Sequence, residues 1–273
     1  MPYVETGDGT SLFYGDWGAG PPAVFVHGWS LHSGMWEYQL PSLTDHGLRC
    51  VAYDRRGHGR SDQPGRGYDS DTLADDLATL LDHLDLRGVT LVAHSTGAGE
   101  VVRYLARHGA GRVACIALIA ATTPCLMTSA DNPEAADRAV FDATAVALRR
   151  DRPGWFAAGA GAYFALGRPD CRVPPALVED AIRMCLATPL MVQLACFRAF
   201  TETDFCPDLR AVNVPALVIH GDADQSAPLD RTGRRTAAGL AHGRLVVYEG
   251  APHGLYVTEQ NRLNDDLLAF VRG

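Results

Sequence analysis

The feature that most restricts how this chain can fold is a repeated exchange between two hydrophobic periods. Short apolar runs at 23–27, 49–54, 89–95, 115–121, 216–220 and 244–248 are bounded by Gly, Pro or charged residues. Between them lie stretches of helical spacing, clearest at 71–86, where Leu73, Leu77, Leu80, Leu81 and Leu84 share one face. Near-continuous apolar runs of this length suit strands covered on both sides, as in a parallel sheet. Residues 2–18 read as a hairpin around Gly7-Asp8-Gly9, and 97–108 and 255–271 as further helices. The alternation predicts an α/β protein with a mostly parallel, doubly wound, eight-stranded sheet. In such sheets ligands bind beyond the carboxyl ends of the strands.

The exchange stops between about 122 and 212. That stretch is Ala-rich, carries Phe141, Tyr163, Phe164 and Phe200, and is broken at Pro133, Pro153, Pro169 and Pro174-Pro175. So long a structureless loop is improbable inside a compact domain. We expect a core domain made of 1–121 and 213–273, with a helical cap at 122–212 inserted between two strands.

Composition narrows the classes of partner. The chain has 273 residues, enough for one large α/β domain, and its 47% hydrophobic and 21% charged content is ordinary globular usage. A net charge of −8 argues against a nucleic-acid partner, since phosphate binding needs a basic surface. All 24 cationic side chains are Arg, with no patch that concentrates them, which we read as coding bias. The first six residues carry no secretory signal pattern, and the longest apolar run, 113–121, is about half what a bilayer requires, so no membrane partner is expected. Seven scattered cysteines, odd in number and without a C-x-x-C pair, predict a reduced, cytoplasmic protein.

The strongest chemical signal is Ala93-His94-Ser95-Thr96-Gly97, which follows the strand residues Leu91-Val92 and opens a helix. A sharp strand-to-helix turn pushes a hydroxyl out of the sheet and exposes it as a nucleophile. Small residues on either side of Ser95 let that strained turn form, with Ala93 the smallest departure from glycine. A hydroxyl needs a base, and the base needs an orienting acid. Asp224, beyond the turn Gly221-Asp222-Ala223 after the penultimate strand, is the candidate acid; Asp222 reads as a brace for the turn. His253, in Gly250-Ala251-Pro252-His253-Gly254 after the last strand, is the candidate base. Three suitable residues, in this order and each after its own strand, define a Ser-Asp-His triad. Candidate donors to a developing oxyanion are the backbone amides of Thr96, at its helix N-terminus, and of Trp29 in His27-Gly28-Trp29-Ser30. The polar run 54–61 reads as a hydrogen-bonded brace, and His94 as a buried support for the turn. No histidine pair has metal-ligand spacing.

These motifs, with Ala199-Phe200, Glu202-Thr203-Asp204-Phe205, Leu263-Asn264 and Leu267-Leu268-Ala269-Phe270, resemble the bacterial cofactor-free haloperoxidase and aryl esterase family almost end to end. The resemblance implies an α/β-hydrolase fold, with Ser95, Asp224 and His253 as catalytic residues and Trp29 and Thr96 as oxyanion donors. It implies hydrolysis of small aryl or short-chain esters, no haem, metal or other cofactor, and a capacity to make peracids from carboxylic acids and hydrogen peroxide. It places Trp29, Leu126, Phe141, Tyr163, Phe200 and Leu229 at the pocket wall. Ala93, Ala98, Ser30 and Ser226 depart from residues common in the family. It leaves a homo-oligomer open, although no interface stripe is legible.

The reading is thus a serine hydrolase of small uncharged esters. Perhydrolysis, lactone or lactam cleavage, and ligand reception on a hydrolase scaffold stand beside it. Haloalkane and epoxide chemistry would need a carboxylate where Ser95 stands.

Overall fold

The computed structural model describes residues 2–128, 135–169 and 171–273; the expected breaker Pro133 lies outside them. β1 (Tyr3–Glu5) and β2 (Ser11–Trp17) form the N-terminal hairpin. β3 (Pro22–Val26) precedes α1 (Leu40–Asp45), and β4 (Arg49–Tyr53) precedes α2 (Ser70–His83). β5 (Val89–His94) feeds α3 (Gly97–His108). After β6 (Val113–Ile119) the described residues form α4 (Arg138–Tyr163), α5 (Pro175–Ala187), α6 (Leu190–Glu202) and α7 (Cys206–Ala211). β7 (Ala216–Gly221), α8 (Gly233–Gly239), β8 (Gly243–Tyr248), α9 (Leu255–Thr258) and α10 (Gln260–Arg272) follow.

The eight strands form one sheet in the order β1-β2-β4-β3-β5-β6-β7-β8. β1 and β2 are antiparallel to their neighbours, and β3 to β8 run parallel. Because strand side chains alternate, each strand feeds two layers. Val24 and Val26 join one apolar layer with Leu77 and Leu80 of α2 and Val101 of α3. Ala23 and Phe25 join the other, with Leu43 of α1 and Leu263 and Leu267 of α10. Leu77, Leu80 and Leu81 have no exposed surface, and burying each contributes about 1.5–3 kcal/mol. α2 starts where Asp69 accepts from the Thr72 amide at 2.9 Å, a side-chain cap for its first turn.

Two elements depart from the sequence expectation. The helical pattern at 255–271 is broken at Glu259 (φ −120°, ψ 29°) into α9 and α10. The break lets Tyr256 pack on Trp36 and His94 while α10 turns its own apolar face onto α1. α7 packs on α3 and α8 and places Leu209 in the sheet's core layer. α4 bends at Asp151 (φ −155°, ψ 80°), just before Pro153. Among the described residues, no single helix is long and apolar enough to cross a membrane.

Candidate active site

Ser95 occupies the turn from β5 into α3 with φ 55°, a left-handed backbone that non-glycine residues seldom adopt. Its amide continues the sheet by donating to Ile119 O at 2.9 Å, which throws the side chain out beyond the strand ends. Gly97 is required by close approach: a Cβ there would lie 2.9 Å from Val26 O and 3.0 Å from His27 O, both backbone atoms. Ala93, two residues before the serine, is fully buried in β5 and its methyl group is accommodated.

His253 hangs from the loop between β8 and α9, and Asp224 from the loop after β7. Nε2 of His253 lies 3.0 Å from Ser95 Oγ, and Nδ1 lies 2.7 Å from Asp224 Oδ2. The other Asp224 oxygen accepts from the amides of Ser226 and Ala227, each at 2.8 Å. Burial alone would raise the Asp224 carboxyl. The facing His253 and hydrogen bonds from His220 and His253 instead hold it well below the usual carboxylate range. It is therefore ionised, and it fixes the His253 tautomer that carries its proton on Nδ1. Asp222 accepts from Gly250 N at 2.6 Å and so ties the two loops together. The Gly254 amide donates to Tyr163 O at 2.8 Å, which anchors the His253 loop on α4.

Behind the relay, His94 is 1% exposed, and burial with the neighbouring His253 pushes it down to about 3. Neutral His94 donates from Nε2 to the carbonyl of His253 at 3.1 Å, leaving Nδ1 without a partner among the described residues. The amides of Trp29 and Thr96 have no acceptor among the described residues, and Thr96 caps the N-terminus of α3, the positive end of that helix.

Ser95 opens into a cavity of about 410 Å³ lined by 25 residues, none of them Asp, Glu, Lys or Arg. Trp29, Leu126, Phe141, Tyr163 and Phe200, all expected from the resemblance, line it. Leu229 does not: it is 6% exposed, buried outside the wall, and its loop reaches the cavity through Gln225 and Ser226. Trp155, Phe156 and Phe197 were missed, although they surround the Trp29 ring at centroid distances of 5.8, 5.8 and 5.4 Å. Helical spacing is the signal for them, since Phe156 precedes the wall residues Gly159, Ala160 and Tyr163, and Phe197 precedes Phe200. Cys185 also lines the cavity, but burial pushes its thiol up to about 12, so it is no thiolate nucleophile.

The polar run 54–61 is consumed by internal bonds. Asp54 accepts from the amides of Ser33 and Arg60, Arg55 pairs with Glu100 at 2.7 Å, and Arg56 pairs with Asp76 at 2.6 Å. Among the described residues, no group of three or more His, Cys, Asp or Glu side chains is arranged to hold a metal ion.

Residues 21–260 match the family described as alpha/beta hydrolase fold. The non-heme chloroperoxidase CPO-A1 of Kitasatospora aureofaciens is 42% identical over 273 residues, covering 99% of each chain. The bifunctional esterase/perhydrolase DCH of Acinetobacter calcoaceticus is 38% identical over 275 residues, covering 100% of each. A bromoperoxidase structure from Bacillus anthracis superposes with a TM-score of 0.94 at 35% identity, covering 99% of each chain. The chain is an enzyme of the alpha/beta hydrolase fold family. More narrowly, it belongs along its full length with the non-heme haloperoxidases and their esterase relatives.

Proposed function

We propose that the chain is a serine hydrolase that cleaves small, uncharged aryl or short-chain carboxylic esters through an acyl-enzyme. The observation that carries this reading is the unbroken relay Asp224–His253–Ser95, with contacts of 2.7 and 3.0 Å, at the floor of a cavity whose wall carries no acidic or basic side chain apart from histidine. His253 takes the Ser95 proton as Oγ bonds to the ester carbonyl carbon. The oxyanion that forms accepts from the Trp29 and Thr96 amides. Collapse breaks the bond to the leaving alcohol, which receives the proton from His253. Water then gives a proton to His253 and attacks the acyl carbon, and release of the acid returns the proton to Ser95.

In this reading α4, α5 and α6 act as a cap that keeps bulk water from the acyl-enzyme, with Trp29, Phe141, Tyr163 and Phe200 as substrate contacts. Every member of the relay comes from one chain, so the chemistry does not require a partner copy. The test is a panel of 4-nitrophenyl esters of increasing acyl length, run beside simple lactones, with wild type and Ser95→Ala. Cleavage of the small esters by wild type and its loss in Ser95→Ala is the expected result; retained turnover in Ser95→Ala overturns the assignment.

A second reading is favoured by the name of the Acinetobacter relative, an esterase/perhydrolase. Hydrogen peroxide replaces water in attacking the acyl-enzyme, giving a peracid and free Ser95. Measuring peracetic acid formation and ester cleavage on one preparation separates the two.

A further inference from the structure

The loop that carries the Trp29 amide is held from two sides, and one side belongs to the helices inserted after β6. Ser30, immediately after Trp29, has φ 63° and no exposed surface, and its hydroxyl has no partner among the described residues. A buried serine in left-handed backbone is strained and persists only when its surroundings over-determine it. Here the surroundings include Thr188, itself fully buried at the corner between α5 and α6, whose hydroxyl donates to Ser30 O at 3.0 Å. One turn further on, the carbonyl of Gln193 accepts from Nε1 of Trp29 at 2.9 Å. Both contacts from one helical corner therefore fall on the dipeptide that contains the oxyanion donor.

That corner is itself pinned. Arg152, at the bend of α4, donates to Thr188 O at 2.6 Å, to Leu186 O at 3.1 Å and to Gln193 Oε1 at 3.3 Å. The Gln193 side chain, with no exposed surface, returns a bond from Nε2 to Cys185 O at 2.8 Å. Buried polar networks with their members satisfied rigidify what they touch.

The geometry points to Thr188 as a positioning residue for the oxyanion-binding amide of Trp29, acting through the Ser30 carbonyl. The inference rests on the hydrolase reading above. In it, the bond from Thr188 to Ser30 O sets how well the loop is preorganised for the charged tetrahedral intermediate, and Thr188, which does not line the cavity, makes no contact with the neutral ester. Losing an oxyanion donor outright costs on the order of 10²–10³ in turnover; loosening one costs less, about 10-fold.

The experiment compares wild type, Thr188→Val and Thr188→Ser. Valine keeps the shape and removes the donor, and serine restores the donor. With a 4-nitrophenyl ester, Thr188→Val should lose about 10-fold in kcat with KM changed less than about two-fold, and Thr188→Ser should recover most of it. Affinity for a trifluoromethyl ketone, which forms a hemiketal oxyanion on a serine, should fall by the same factor as kcat/KM. In protein labelled with ¹⁵N-tryptophan, the Trp29 amide signal should shift or broaden in Thr188→Val and return in Thr188→Ser. Wild-type kcat in Thr188→Val, equal losses in both variants, or an unmoved Trp29 signal would each overturn the assignment. If wild type itself cleaves no ester, the hydrolase reading fails, and the Trp29 signal alone decides whether Thr188 holds the loop.

Discussion

Nε2 of His94 lies 3.1 Å from the backbone oxygen of His253, so the residue next to Ser95 holds the loop that carries its hydrogen-bond partner. The two imidazoles lie 5.0 Å apart, with Tyr256 packed on the outer face of His94. Replacing His94 with Phe keeps an aromatic ring and leaves the His253 carbonyl without its donor. Unfolding free energy should fall by about 1–3 kcal/mol, read from urea titration, and ester turnover should fall with it. Unchanged stability would show that the contact does not hold the loop.

Asp224→Asn tests the charge of the acid apart from its shape. The amide cannot both accept from the Ser226 and Ala227 amides and present an anionic oxygen to His253. Turnover should drop by about 10⁴-fold at neutral pH, while near-ultraviolet circular dichroism stays that of wild type. A loss below about 10-fold would remove Asp224 from the relay.

Stability should fall in mild acid, because three histidines are buried uncharged. Burial, helped by Arg55, pushes His27 well below its ordinary value and His58 to about 3; burial and His253 bring His94 to about 3. In the unfolded chain each titrates near about 6.5 and binds a proton that the folded state refuses. Their contribution is therefore fully present above about pH 6.5 and is lost as pH falls below that, by up to about 1.4 kcal/mol per pH unit for each histidine. Asp224, whose folded value is depressed, adds a loss in the same direction below its unfolded value of about 3.9. Urea midpoints at pH 7.5, 6 and 5 should decline step by step; a flat series contradicts the burial argument.

Gly97→Ala should damage the turn, since the new methyl would meet the carbonyls of Val26 and His27 at 2.9 and 3.0 Å. We expect a loss of about 1–3 kcal/mol in stability and reduced labelling of Ser95 by a fluorophosphonate. Ala93→Gly removes a buried methyl group that already fits, and should cost about 1–2 kcal/mol from lost burial and added chain entropy while leaving the labelling of Ser95 unchanged. Equal effects at the two positions would show that close packing at Gly97 is not what the turn needs.

The sheet was legible because its strands are near-continuous apolar runs with clear stops. Ser95, Asp224 and His253 were singled out because each follows its own strand, where a side chain can reach over the sheet edge. The cavity wall was less legible. Trp155 and Phe156 follow the bend at Asp151, which interrupts the helical period that would have joined them to Phe141. The resemblance places Leu229 at the wall, but only Gln225 and Ser226 of that loop reach the cavity. The single helix expected at 255–271 failed for a tertiary reason, because Tyr256 and α10 pack on different partners and the chain must turn between them. No sequence pattern announces the bond from Thr188 to Ser30, which joins residues 158 apart.

In the proposed reaction Ser95 carries the acyl group. Wild-type protein can be mixed with a slowly deacylated aryl ester, quenched in acid within the burst phase, digested and analysed by mass spectrometry. One acyl adduct is expected, on the peptide containing Ser95, with none in Ser95→Ala. An adduct on another residue, or burst-phase product release with Ser95 unmodified, would contradict that reaction.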